Sequence, residues 1–353
     1  MIIGTCGYGA TGSSVITDLL REFSGIQVYD QFEFTYCYKV DGLQDLEHHL
    51  MKSNAKNISG DAAISRFLYA AQSIKTPFTN KPTNSRKFIE ITHEFVDSLV
   101  QVKYKGMDDI DTKSGNILRN IAALGMKRII LPNIYEKRKG RACYLWPNRD
   151  MYVCVKPEGF YDKAQKYIKD ILLAMGADTD GVVALDQPFE GNAPEQSFPF
   201  FDDPMAIIVD RDPRDLYLHA KYICLSRGRF MPRQNVEDFV AYYQSIRKGQ
   251  KRVNSERILF LRFEDLIYNY DISVEKVVNF LAVKDHKTPR SSFDPARSIS
   301  NTQLIRKYPN DIDEIRYIEE QLPEYLFHFE EYPDADIAGD PFFGNASKMM
   351  KKG

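Results

Sequence analysis

The chain has 353 residues, a formal net charge of -2, and 43% hydrophobic and 27% charged residues. That length supplies one large domain or two small ones, with ample chain for a core. The near-neutral balance shows none of the basic character that points to nucleic acid, and no run of about 20 apolar residues is present to span a bilayer.

Five cysteines, Cys6, Cys37, Cys143, Cys154 and Cys224, are odd in number and scattered. They match neither a disulfide framework nor a zinc spacing and read as buried free thiols in a reducing cytoplasm. The sequence enters a strand with no charged region and apolar signal core ahead of it, so a cytoplasmic location is expected.

Met1, Ile2 and Ile3 open a short apolar run. Gly7-Tyr8-Gly9-Ala10-Thr11-Gly12-Ser13-Ser14 follows, and then Val15, Ile16, Leu19 and Leu20 fall at helical spacing. A strand, a glycine-rich turn and a helix start make a cradle for an anion, usually phosphate. Glycine lets the backbone approach closely, and Ser13 and Ser14 present N–H groups and hydroxyls at the positive helix end. The stretch nearly fits the phosphate-loop pattern G-x-x-x-x-G-K-[ST], with Ser13 in the lysine position. That exchange weakens an ordinary ATPase or GTPase reading. The plain alternative is a turn that merely joins a buried strand to a helix.

Residues 26–30 predict a second strand, ending in a turn with Asp30 and Glu33. Ligands of open α/β sheets sit at the carboxyl ends of strands. Both carboxylates therefore stand where chemistry can occur, or else cap the next segment. From about residue 42 to 176 the pattern is mainly helical, with amphipathic spacing over 61–74 and 85–102. Phe160, Ala164, Tyr167, Ile168, Ile171, Leu172 and Met175 form one apolar face. Residues 128–131 and 151–155 are strand-like. The basic stretch Glu136-Lys137-Arg138-Lys139-Gly140-Arg141 reads as a solvated loop or a contact for an anionic acceptor. The span is too long for a simple crossover. It reads as an inserted helical subdomain, suited to acceptor recognition. His48, His49 and His93 fall in helices there and read as surface or satisfied residues.

Residues 181–188 predict a third strand, ending at Asp186 and Gln187 before a loop rich in Pro and Phe. Residues 205–210 predict a fourth, followed by Arg211-Asp212-Pro213-Arg214-Asp215. Pro213 suits a first helical turn and Asp215 its charge preference. Arg211 stands at the strand tip on the edge that carries the first turn, and a guanidinium is an always-charged, bidentate phosphate ligand. The alternative is an Arg–Asp surface network. A helix over 234–248, a fifth strand over 257–263, Glu264-Asp265-Leu266 and a helix through Leu281 come next. Arg297, Ser298 and Arg306 precede an acidic amphipathic helix over 311–329. The expected organisation is one domain over 1–332, with a helical insertion at about 42–176 and a loose tail at 333–353.

Three separated motifs carry a family resemblance. G-Y-G-A-T-G-S-S-V at 7–15 resembles the phosphosulfate loop of sulfotransferases that use PAPS (3′-phosphoadenosine 5′-phosphosulfate). V-D-R-D-P-R-D-L-Y-L-H at 209–219 resembles their 3′-phosphate motif. L-R-F-E-D-L at 261–266, with Phe280 and Leu281 a helix later, resembles their E-D-L segment. The resemblance covers the N-terminal quarter and roughly 181–329. It implies a P-loop NTPase-like α/β fold: a mostly parallel five-stranded sheet flanked by helices, with an inserted mainly helical segment. It also implies a carbohydrate-type enzyme that moves a sulfuryl group from PAPS to a hydroxyl and releases 3′,5′-ADP, with no metal.

By the same resemblance Gly9, Ala10, Thr11, Gly12, Ser13 and Ser14 hold the 5′ side of PAPS. Arg211 and His219 hold the 3′-phosphate, with Arg297, Ser298 or Arg306 from the tail. Glu33 is the expected base, with Asp30, Asp186 and then His219 behind it. Two positions depart from the pattern: Ala10 stands where many members carry Lys or Arg, and His219 where a serine is usual. Arg214, Lys221 or Arg306 are candidates to replace the missing cation. Tyr135, Tyr144, Trp146 and Tyr152 could stack on sugars or belong to a core; a phenol or lipid alcohol is another acceptor option. Two rival functions remain. A kinase would need ATP and magnesium, with Asp186 and Asp210 as metal holders. A nucleotide-binding protein without turnover would bind 3′,5′-ADP alone.

Overall fold

The computed structural model describes residues 1–53, 57–74, 85–106, 117–126, 128–129, 149–223, 231–250 and 254–335. In chain order the elements are β1 (Ile2–Gly7), α1 (Ser14–Leu20), β2 (Ile26–Tyr29), α2 (Leu43–Glu47), α3 (Asn57–Ile74), α4 (Ser85–Leu99), β3 (Val102–Gly106), α5 (Ile117–Gly125), β4 (Arg149–Val153) and α6 (Phe160–Ala174). They continue with β5 (Val182–Asp186), β6 (Pro204–Asp210), α7 (Pro213–Leu218), α8 (Val236–Arg247), β7 (Ile258–Arg262), α9 (Phe263–Tyr268), α10 (Tyr270–Leu281), α11 (Pro295–Ser298) and α12 (Ile312–Gln321). They fall into two compact units, Met1–Tyr38 with Ala177–Gly353, and Lys39–Gly176.

The first unit is built on a five-stranded parallel sheet of order β2-β5-β1-β6-β7. The apolar runs of β1 and β6 are buried on both faces, as central parallel strands require. β1 pairs with β5 on one side and β6 on the other, with Thr5 opposite Asp186 and Ile207. All five carboxyl ends therefore share one edge, and the connections diverge to opposite sides next to β1, where open α/β sheets hold their ligands.

One face carries Ile3, Ala184, Ile207, Val209, Leu259 and Leu261 beneath Val15, Ile16, Leu19 and Leu20 of α1 and the apolar sides of α9 and α10. Each such aliphatic side chain contributes on the order of 1.5–3 kcal/mol when fully buried. On the other face Gly4 leaves room for Phe189: a Cβ at Gly4 would lie 2.4 Å from that ring. Phe189 in turn packs edge-on against Phe198 and Phe201. A second apolar cluster joins α7, α8 and α12.

The second unit is mainly helical. The Tyr167 ring of α6 stacks on Phe95 of α4 at 4.5 Å, and its hydroxyl is 2.9 Å from Thr92 Oγ1. β3 and β4 form an antiparallel pair. Arg149 and Asp61, 2.5 Å apart, tie β4 to α3.

Several boundaries differ from the sequence expectation, among them the helix expected from residue 61, which begins at Asn57. The helix beginning at Ser85 stops at Leu99, and Val102 already belongs to β3. The Gln101 amide holds both ends of that corner, bonding Val155 through its oxygen and its nitrogen. Arg128 and Ile129 lie in a helical turn rather than a strand, and residues 130–131 lie outside the described residues. The strand expected over 151–155 runs over Arg149–Val153. The last helix ends at Gln321 because Pro323 cannot continue it.

Cys6, Cys37 and Cys154 are buried free thiols; Cys143, Cys224, the basic stretch 136–141 and residues 336–353 lie outside the described residues. Among the described residues no helix is long and apolar enough to cross a membrane.

Candidate functional site

The turn after β1 is closed from within. Thr11 Oγ1 accepts the Tyr8 N–H at 3.1 Å, and a side chain at Gly7 would collide with that hydroxyl. Gly9, Ala10 and Gly12 all have positive φ, at 82°, 55° and 93°. This conformation suits the glycines and is uncommon for Ala10. Gln187, at the tip of β5, braces the turn from outside: its Oε1 accepts the Gly7 N–H at 3.3 Å and its Nε2 donates to Ser13 Oγ at 2.8 Å.

A cleft opens beside this turn, lined by Ala10, Gly12, Ser14 and Val15, by Arg211 and His219, and by Arg297 and Ser298. Arg211 is 3% exposed. Its Nη1 donates to Ala10 O at 3.3 Å, its Nη2 donates to Asn301 O, and its guanidinium lies 5.0 Å from the centre of the Phe263 ring. The arginine thus joins the turn to the 297–301 segment. His219 is buried beside it, and burial, then the Arg211 charge, push its pKa down to about 2. It is a neutral imidazole, able to donate one N–H.

The rest of the R-D-P-R-D motif is scaffold. Asp212 caps α7 by accepting the Arg214 N–H at 2.8 Å, and its other oxygen accepts the Phe327 N–H at 2.7 Å. Asp215 is buried and accepts the backbone N–H groups of Gln303 and Leu304 at 2.9 and 2.7 Å. It thereby fixes the segment that brings Arg297, Ser298 and Asn301 to the cleft. Burial, then the neighbouring Asp212 charge, raise its pKa.

Of the expected nucleotide ligands, Ala10, Gly12, Ser14, Arg211, His219, Arg297 and Ser298 come together in this cleft. Thr11 is 1% exposed and spends its hydroxyl inside the turn. Ser13 faces Gln187. Gly9 is not part of the lining. Arg306 is engaged elsewhere, by Asp334 at 3.1 Å and Ala335 O at 2.9 Å. Neither of the other two candidate replacements for the cation missing at Ala10 lines the cleft. Arg214 is bound by Asp212 and Glu319, and Lys221 by Asp311 and Glu314.

A second arginine lies against the turn. Arg247 is fully buried, its guanidinium 4.4 Å from the Tyr8 ring centre and 3.7 Å from that of Tyr243. It grips Asp210 with Nε at 3.0 Å and Nη2 at 2.6 Å. Both oxygens of the β6-tip carboxylate are thereby occupied.

The carboxylates expected to supply a base gather at the tips of β2 and β5. Glu33 is exposed, and Asp30 is paired with Arg21. Asp186 is partly buried, 3.5 Å from Thr5 Oγ1; burial, then the Glu33 and Asp30 charges, raise its pKa to about 7. Tyr152 is 7% exposed and belongs to a core, and Tyr135, Tyr144 and Trp146 lie outside the described residues. Asp18, Ser292, Phe293 and Asp294, which also line the cleft, carry no sign in the sequence, whereas Phe263 lies inside the L-R-F-E-D-L motif and Asn301 closes the stretch that starts at Arg297, without a role assigned to either.

No family profile matches the chain, and no curated protein matches it. Among solved structures, a sulfotransferase, STF9 from Mycobacterium avium, aligns over 96% of this chain and 78% of its own, with 12% identity and a TM-score of 0.33.

Proposed function

We propose that this chain is a sulfotransferase that moves a sulfuryl group from PAPS to a hydroxyl of an acceptor, a saccharide in the first instance, and releases 3′,5′-ADP. One observation carries the reading. Residues from three separated segments, the turn after β1, the R-D-P-R-D stretch with its helix, and the tail, line a single cleft. Their chemistry fits phosphate: two guanidiniums, a neutral imidazole N–H and the hydroxyls of Ser14 and Ser298.

When bound, PAPS supplies a sulfur whose bond to the 5′-phosphate oxygen breaks as the acceptor oxygen bonds to it. The chain supplies position and charge. Arg211 and Arg297 neutralise the 3′-phosphate, and His219 donates to it in place of a serine hydroxyl. The backbone of the turn and Ser14 orient the 5′ side. The acceptor proton goes to Glu33 or to Asp186 beside it, whose pKa burial, then the Glu33 and Asp30 charges, raise to about 7. Support for a saccharide comes from the family resemblance alone.

The kinase reading needs a metal at Asp186 and Asp210. Arg247 holds both oxygens of Asp210, which speaks against it. Transfer of labelled sulfuryl from PAPS to a saccharide panel tests the proposal. The expected result is transfer by the native chain, at least a hundredfold weaker in Arg211→Ala. Formation of neither sulfated product nor 3′,5′-ADP overturns it.

A further inference from the structure

We infer that Glu22, at the far end of α1 from the turn, is the positioning residue that sets the outer wall of the nucleotide cleft. The inference rests on the reading of that cleft as a donor site.

Glu22 is 1% exposed. Its Oε1 accepts the backbone N–H groups of Ser292 and Phe293, both at 2.9 Å. Its Oε2 accepts the Arg290 N–H at 3.0 Å, faces His286 Nε2 at 2.7 Å, and accepts the Tyr270 hydroxyl at 3.5 Å. The Glu22 carbonyl adds the Lys287 N–H at 3.1 Å. One carboxylate and one carbonyl thus organise residues 286–293, which hold no helix or strand of their own. A buried carboxylate is tolerable only when it is hydrogen-bonded this fully.

The wall follows directly. Ser292, Phe293 and Asp294 line the cleft, and α11 begins at the next residue and delivers Arg297 and Ser298. Asp215 fixes the segment from the other side, at Gln303 and Leu304. Helix α1 carries Ser14 in the cleft at its start and leads, two residues past its end, to Glu22 behind the opposite wall, so the turn and the wall share one rigid reference. Glu22 does not itself line the cleft and acts through the backbone of the loop that does.

Glu22→Gln tests this, because the amide keeps the shape and loses the charge and one acceptor. Two readouts are taken well below the melting point: amide hydrogen exchange over 286–298, and affinity for 3′,5′-ADP by calorimetry. The expected result is exchange at least tenfold faster in that segment with β1 and β6 unchanged, and affinity at least tenfold weaker. In turnover the effect falls on KM for PAPS, with kcat retained. A protein that is merely less stable exchanges faster everywhere and keeps its affinity. Unchanged exchange over 286–298 overturns the inference, as does faster exchange with unchanged affinity. If the native chain binds no 3′,5′-ADP while exchange accelerates as expected, the donor reading fails and the assignment of Glu22 to the wall stands. If Glu22→Gln does not fold, His286→Gln removes one partner of the carboxylate and must move both readouts the same way by a smaller factor.

Discussion

The Glu264 carboxylate accepts the backbone N–H of Asp212 at 2.8 Å. This bond joins the E-D-L segment at the end of β7 to the R-D-P-R-D segment at the end of β6. Both residues are fully buried, and burial, helped by the Asp212 charge and opposed by Arg262, raises the pKa of Glu264. Asp212 in turn caps α7 and holds Phe327. The two motifs are thus one device that aims Arg211 at the turn. Glu264→Ala strands the Asp212 N–H in a dry site, at a cost of about 1–3 kcal/mol. Glu264→Gln keeps an acceptor oxygen and costs less. Urea unfolding of the two variants checks the order.

Gly12 has φ of 93°, and a Cβ there would lie 2.4 Å from the Phe263 ring. Gly12→Ala faces both backbone strain, about 1–3 kcal/mol, and a clash with the ring that packs under Arg211. The expected outcome is lower stability together with weaker 3′,5′-ADP binding. Retained binding at native strength would show that the turn tolerates a different path.

Arg247 holds the buried Asp210 at two points. Arg247→Met leaves that carboxylate without its cation, at a cost of about 3–5 kcal/mol. Adding Asp210→Asn recovers part of the loss. Thermal denaturation of the single and double variants reads the coupling directly.

Asp186 gives a pH signature. Its folded pKa, near 7, lies above the ordinary carboxylate value, so its contribution to stability is fully present below about pH 4 and is lost as pH rises through 7. Asp186→Asn removes that loss. The variant should gain on the native chain between about pH 4 and 7 and hold a constant advantage above. His219 acts with the opposite sign: its depressed pKa means stability is lost as pH falls below about 6.5. That contribution is common to both proteins and cancels in the difference. Stability curves at four pH values decide it. If Asp186 shares the base role, sulfuryl transfer in the native chain has an acid limb near pH 7. An acid limb well below pH 7 would exclude Asp186 from that role.

The sheet was legible in the sequence because each of its strands is a short apolar run bounded by turn residues, and parallel central strands show little else. Arg211 was legible for the same reason: it follows such a run directly. Glu22 and Arg247 were not, since a charged residue at or just past the end of a helix carries no local sign that it is buried against partners 268 or 37 positions away. Asn301 contributes through its carbonyl, which no side-chain pattern reports. The helix expected to reach Val102 overran because apolar spacing continues through Val100, and the corner at Gln101 depends on bonds to Val155, just past β4 and far along the chain.

Thermal melting of the native chain and of Arg211→Ala with 3′,5′-ADP, ADP, and ATP with magnesium tests the central claim most directly. A ligand bound only by the folded state adds about 2.7 kcal/mol at a hundredfold excess over its Kd. The account predicts a rise in Tm selective for 3′,5′-ADP and absent in Arg211→Ala. A rise only with ATP and magnesium, or none with any nucleotide, would contradict it.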